Sequence, residues 1–287
     1  MKRYVLAAAL AIASAAPAAA YTSYLQPNAF WPDGAAVTIE GAFASQFFTP
    51  QIALPAQFTI LHPDGARAAF ESVAVATQAT TMQANLPRGG TYRISTGEQN
   101  GPVSALVGDA AVAGGWRALA SGETAPEGEP TTTLQSVTLA DVYITRGGPT
   151  RQVVDRPIGR LAIRPVTHPN QILAASGFEV ELLFDDAPMA NTAIVLYAAG
   201  DPDNKLDRFV ATDANGRATF VFDAPGQYVI AARHRATAPA GSEAAVRSYT
   251  TTLTFEALAE LPAIVEVAED VVDEPSRRRR RQIGRQD

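Results

Sequence analysis

The stretch Gly177-Phe178-Glu179-Val180-Glu181-Leu182-Leu183-Phe184 alternates apolar and acidic side chains. Phe178, Val180 and Leu182 share one face, and Glu179 and Glu181 share the other. A period of two is the mark of a half-buried β-strand. Similar short segments surround it: Leu161-Ala162-Ile163, Thr192 to Tyr197, Arg208 to Ala211, Arg217 to Phe222, Ala224 to Ile230 and Val246 to Phe255. Turn residues separate them, among them Asp185 to Asn191 and Thr212-Asp213-Ala214-Asn215-Gly216. Asn-Gly between alternating segments predicts a tight hairpin joining 208–211 to 217–222. About seven strands at this spacing predict an immunoglobulin-like or transthyretin-like β-sandwich.

The first half of the chain echoes this pattern. Asp33 to Phe43 parallels 177–184, and Leu61 to Phe70, turning at Pro63-Asp64-Gly65, parallels 212–222. Leu86 to Ile94 parallels Ala224 to Ile230; in both, a Pro/Gly turn precedes Tyr and then an aliphatic two positions on. Ala120 to Pro130 holds Gly, Pro and acidic residues and no large apolar one, which marks a linker or long exposed loop. The expected fold class is therefore all-β, with two sandwich domains in tandem. The expected division is 1–20 as a signal peptide, 21–118 as the N-terminal sandwich and 119–158 as a connecting segment. A C-terminal sandwich over 159–256 and an acidic, then Arg-rich, disordered tail over 257–287 complete it.

The start of the chain reads as an export address. Lys2 and Arg3 precede an apolar run from Val5 to Ala16, and Pro17-Ala18-Ala19-Ala20 offers small residues for cleavage. The run is shorter than the roughly 20 residues a spanning helix needs. Cleavage after Ala20 makes Tyr21 the mature N-terminus, and the expected location is the periplasm. No later segment is long and apolar enough to span a bilayer.

Of 287 residues none is Cys and three are His. Disulfides, thiolate metal sites, iron–sulfur clusters and cysteine nucleophiles are thereby excluded. The chain has no G-x-S-x-G, H-E-x-x-H, Lys-bearing phosphate loop or G-x-G-x-x-G. Residues 21–276 carry 15 basic and 28 acidic side chains, a net charge of −13 that repels nucleic acid and anionic lipid. The concentrated positive charge is Arg277 to Arg281, which reads either as a solvated tail or as a contact for an anionic surface.

Candidate ligands are few. His62 and His168 sit beside Pro in turn-like sequence and read as solvated loop residues. His234, at the end of an apolar run and flanked by Arg233 and Arg235, is the best candidate of the three. Asp201, Asp203 and Asp207 alternate in a way that reads either as a turn or as a calcium-like loop. That loop has Leu206 at the position of the usual Gly and no closing Glu. Tyr24, Phe30 and Trp31 are candidate ligand contacts near the mature N-terminus; Trp31 reads equally as a core plug.

Several motifs together resemble an exported domain-of-unknown-function family once labelled a nickel-uptake substrate-specific component. Ala20-Tyr21-Thr22-Ser23-Tyr24-Leu25-Gln26-Pro27 is similar to its mature start, Ala-His-x-x-Trp-Leu-x-Pro. Gly159 to Pro165, then His168-Pro169, is similar to its G-x-P-L-E-I-x-P and following Asp-Pro. Thr212-Asp213 to Phe220 and Tyr249 to Phe255 match two further motifs, and His234 falls at the family's His before the closing strand. The resemblance implies tandem sandwiches and a metal-linked envelope role. Tyr21 replaces the family's terminal His, whose amine and imidazole would hold a metal, so that role and histidine-brace copper chemistry do not carry over at this residue.

The expectation is a non-enzymatic periplasmic binding or accessory protein linked to envelope transport of a metal or small solute. Its expected partner is an envelope protein or outer-membrane receptor, not nucleic acid. The alternatives are a divalent-cation binder using His234 or Asp201, Asp203 and Asp207, and a structural envelope interaction module. No cofactor is expected unless that divalent metal.

Overall fold

A computed structural model describes residues 21–112 and 115–267. The expected signal peptide and the Arg277 to Arg281 run lie outside the described residues. Among the described residues no helix is long and apolar enough to cross a membrane.

The first strands are β1 (Thr22–Pro27), β2 (Ala36–Ala44), β3 (Ile52–Ala53), β4 (Thr59–Leu61), β5 (Arg67–Ala68), β6 (Ser72–Val75), β7 (Thr80–Asn85) and β8 (Gly90–Ser95). After them come β9 (Gln99–Gly108), β10 (Trp116–Ala118) and the long β11 (Thr131–Arg146). The second half holds β12 (Leu161–Pro165), β13 (Phe178–Phe184), β14 (Ala187–Pro188), β15 (Ala193–Ala198), β16 (Phe209–Ala211), β17 (Arg217–Phe220), β18 (Gly226–Thr237) and β19 (Val246–Ala257).

Three sheets result. A five-stranded sheet runs β1-β2-β7-β6, with β3 beside β2. A four-stranded sheet joins β12, β13 and β14, with β17 beside β13. Between them, a ten-stranded sheet runs β16-β15-β18-β19-β11-β8-β4-β5 and also takes in β9 and β10. It serves both halves of the molecule. β11 pairs with β8 antiparallel and with β19 parallel.

The alternation of β11 explains how one strand can do this. Ala140, Val142 and Ile144 face the N-terminal core with Leu25, Ile39, Met82 and Tyr92. Val137 and Tyr143 face the C-terminal core with Phe178, Val180, Leu182, Ile230 and Phe255. Successive side chains of a strand point to opposite faces, so an apolar run buried on both sides can close two cores. The segment 119–158, expected to be only a connection, thus contains the central strand of the molecule. Its acidic, Gly- and Pro-rich start, through Pro130, is the exposed loop the composition suggested.

The motif 177–184 forms β13 as expected, with Phe178, Val180 and Leu182 fully buried. Glu181 lies on the opposite face and pairs with Arg164, directly across on β12. The expected hairpin at Asn215-Gly216 is not formed: β16 and β17 belong to different sheets. The Asp213 carboxylate accepts from the Asn215 and Arg217 amides, both at 2.8 Å, and only Gly216 has positive φ. A mirror-image hairpin turn needs positive φ at both central residues. That condition is met instead at Asp185-Asp186 (φ 51° and 62°), which join β13 to β14.

The parallel drawn between the Tyr-bearing segments has a shared contact behind it. Tyr92 donates to the Arg88 carbonyl at 2.9 Å, and Tyr228 to the Ala224 carbonyl at 2.7 Å. Each is a tyrosine reaching back four residues to fix the turn that opens its strand, in the manner of a tyrosine corner.

Beyond β19, Leu258 bonds the Ile172 carbonyl and then accepts from Ala174. Residues 261–267 run without regular structure to the turn at Gly147, which the Val265 carbonyl and Val267 approach.

Candidate functional site

The loop 199–208 follows β15, and its carboxylates do not converge. Asp201 accepts from Lys205 Nζ at 2.8 Å and from the Ala198 amide at 2.9 Å. Burial works against its charge, but these contacts prevail and hold its pKa below the usual value. Asp203 is buried and turns inward, where Thr22 Oγ1 donates to its Oδ2 at 3.2 Å. Burial raises its pKa, with the Thr22 bond and Arg233 opposing. Asp207 is exposed. Among the described residues no three His, Asp or Glu side chains gather as a metal would need. The alternation of Asp in sequence is here a turn in which two carboxylates serve different contacts.

His234 lies on β18 opposite Tyr249 of β19. Its ring meets Phe184 edge-on at 4.5 Å between centroids. Arg160 lies over the same Phe184 ring, holds Asp185 at 2.6 and 2.5 Å, and donates to Tyr249 OH at 2.7 Å. Burial lowers the His234 pKa, Arg160 adds to that, and Asp185 opposes. His234 thus sits at the rim of an aromatic and guanidinium cluster that closes one end of the C-terminal core.

The other two histidines correct the expectation of solvated loops. His62 is half-buried against the Tyr92 ring, 5.3 Å between centroids. His168 is buried. Its Nδ1 accepts from the Asn170 amide at 3.2 Å, which assigns the proton to Nε2. Nε2 lies 3.1 Å from the Thr150 carbonyl and 3.0 Å from Thr91 Oγ1. Thr91 Oγ1 lies 2.9 Å from Thr145 Oγ1, which donates to Asn170 Oδ1 at 2.9 Å. The ring satisfies buried polar groups from β8 and the loops after β11 and β12, and Thr91 and Asn170 carry the network on to Thr145 of β11.

Trp31 belongs to the same knot. Its indole N–H donates to the Asn170 carbonyl at 2.8 Å while its ring packs on the N-terminal core. Phe30 is buried in that core. Tyr24 is buried with Phe47, Val195, Tyr197 and Val229, and donates to Glu40 at 2.9 Å. The three N-terminal aromatics are committed to packing. Tyr24 and its cluster attach β1 and the 44–48 loop to the outer face of β15 and β18.

One buried charge pair had no place in the sequence reading. Arg93 and Asp141, 1% and 5% exposed, form an ion pair between β8 and β11. Arg93 also donates to the Arg156 carbonyl and lies over the Tyr143 ring. The only trace in sequence is an acid inside the apolar run Leu139-Ala140-Asp141-Val142-Tyr143-Ile144.

A shallow apolar cavity of about 310 Å³ opens on the ten-stranded sheet, lined by Leu106, Trp116, Thr132, Leu134, Arg235 and Val246. At the free edge of the five-stranded sheet, β6 is exposed along its whole length. Val73 and Val75 stand there 40% and 57% exposed, and residues 72–81 carry no charge and no Pro.

Fold and site together define an all-β protein of two β-sandwiches that share a ten-stranded sheet; among the described residues no three His, Asp or Glu side chains form a cluster. The chain belongs to the domain-of-unknown-function family DUF4198, whose model matches residues 18–236. No curated protein matches it. Among solved structures it is similar to the D0-D1 domain of intimin, at 12% identity and a TM-score of 0.20, covering 80% of this chain and 96% of that one. The D00-D0 domain of intimin is similar at 15% identity and a TM-score of 0.20, covering 82% and 99%.

Proposed function

We propose that the protein is a non-enzymatic periplasmic accessory module that works by binding another envelope protein. The observation that carries this reading is the outer edge of β6. Native sheets blunt a free edge with Lys, Pro, a bulge or a cover, because its unpaired N–H and C=O groups accept another strand. Ser72 to Val75 has none of those side chains and presents two exposed valines. Such an edge suits strand addition, in which main-chain bonds give affinity and alternate side chains give specificity. Sharing β11 between the sandwiches supports the same reading, since it holds that edge in a fixed relation to the second domain. The positively charged start and the small residues at 17–20 support export. A link to transport of a metal or small solute rests on the family resemblance alone, and among the described residues no three His, Asp or Glu side chains gather for the cation reading.

The test is in-cell photo-crosslinking from position 75, with position 221, exposed on the other domain, as control. A discrete protein adduct in the periplasmic fraction from 75 and not from 221 is expected. No adduct, together with a stoichiometric nickel, copper, zinc or calcium retained in native mass spectrometry, would replace this reading with cation binding.

A further inference from the structure

Asp203 is 7% exposed, and among the described residues no basic side chain makes an ion pair with it. Its partner is the Thr22 hydroxyl, itself 4% exposed. Arg233 stops at that same hydroxyl, at 3.1 Å, and at Tyr197 OH, at 3.3 Å. Tyr197 OH in turn donates to the Asp203 main-chain carbonyl at 2.9 Å. Asp201, two residues away, has Lys205. A buried carboxylate with a hydroxyl as its hydrogen-bond partner and the Arg233 charge beyond contact keeps part of its desolvation cost, and a cation brought into contact with it recovers that part.

The residue before Thr22 is Tyr21, where the expected cleavage falls. While the Ala20–Tyr21 bond is intact, the Tyr21 nitrogen is a neutral amide. Hydrolysis adds water across that bond, leaving a carboxylate on Ala20 and an amine on Tyr21. At neutral pH the amine is largely protonated, since an α-amino group has a pKa of about 8. The new charge is one residue before Thr22, the first residue of β1, whose hydroxyl already touches the carboxylate.

We propose that Asp203 is the binding site for the α-ammonium group of Tyr21, so that removal of residues 1–20 closes an ion pair fixing β1 to the C-terminal sandwich. The inference rests on the export reading above. β1 is the element to be held: it pairs with β2 on one side, and Tyr24 sits against β15 and β18 on the other.

The experiment uses the exported protein, with its first residue fixed by intact mass. The rate of Tyr21 amine acylation is followed against pH in wild type, in Asp203→Asn and in a chain carrying one extra Ala before Tyr21. Wild type is expected to titrate about one unit above an ordinary α-amine, hence to acylate about fivefold more slowly at pH 8. Both variants are expected to return to ordinary behaviour, the Ala extension doing so with Asp203 in place. Thermal stability in wild type should exceed that of the extended chain below pH 8, with the difference lost as pH rises through the raised amine pKa. A chain starting at Tyr21 with an ordinary amine overturns the ion pair and leaves the export reading standing. A chain that starts elsewhere overturns both.

Discussion

Val142 and Tyr143 are neighbours in β11 and are buried in different cores, Val142 in the N-terminal one and Tyr143 in the C-terminal one. The two sandwiches therefore do not have separable interiors. Loss of β11 from either core exposes the other face of the same strand.

Thermal unfolding should accordingly be a single cooperative transition by calorimetry, with calorimetric and van't Hoff enthalpies equal. Ile144→Ala, which opens the N-terminal core, should cost about 2–5 kcal/mol and lower that one transition as a whole. Two resolved peaks, with only the first moved by Ile144→Ala, would refute the shared-strand account.

The Arg93–Asp141 pair makes a second expectation. Asp141→Ala leaves a buried guanidinium without its counter-charge and should cost about 3–5 kcal/mol in urea unfolding. The double variant Arg93→Met with Asp141→Leu should recover much of that, because apolar side chains of similar size carry no desolvation cost. A double variant as unstable as Asp141→Ala would show that the pair itself, and not the unpaired charge, sets the loss.

His168 gives the protein an acid sensitivity. Burial holds its pKa down; the Thr150 carbonyl and Asp155 oppose, and Arg151 assists. Protonating Nδ1 would also set one donor against the Asn170 amide. The unfolded chain then binds this proton more readily than the folded one. Stability from His168 is complete above the ordinary histidine value of about 6.5 and falls as pH drops below it toward the lowered folded value. His62 and His234 are shifted in the same direction. Urea midpoints at pH 7.5 and 5.5 should show a smaller drop in His168→Gln than in wild type. Equal drops would place the sensitivity elsewhere.

Much of the architecture was legible in the sequence, and for a local reason. Phe178, Val180 and Leu182 declare their common face through a period of two, and the turn residues between segments mark where strands stop. Tyr92 and Tyr228 carried a readable echo because each reaches only four residues back. The site was far less legible. Asp203 and Thr22 are separated by 181 residues, and Arg93 and Asp141 by 48. His168 looked solvated because Pro and Asn flank it, yet Thr91 and Thr145 close over it from other strands.

The sequence by itself determined the class of the protein: an all-β chain without cysteine, with sandwich-type strands on either side of an acidic loop. Those properties depend on composition and on spacings of a few residues. Only the tertiary structure decided that β11 is common to both sandwiches, that β16 and β17 part into different sheets, and that the Asp residues of 201–207 do not converge. Strand pairing is set by which distant faces can be buried together, and by whether a turn such as Asp213 to Gly216 bends back or crosses over. No local period encodes either choice.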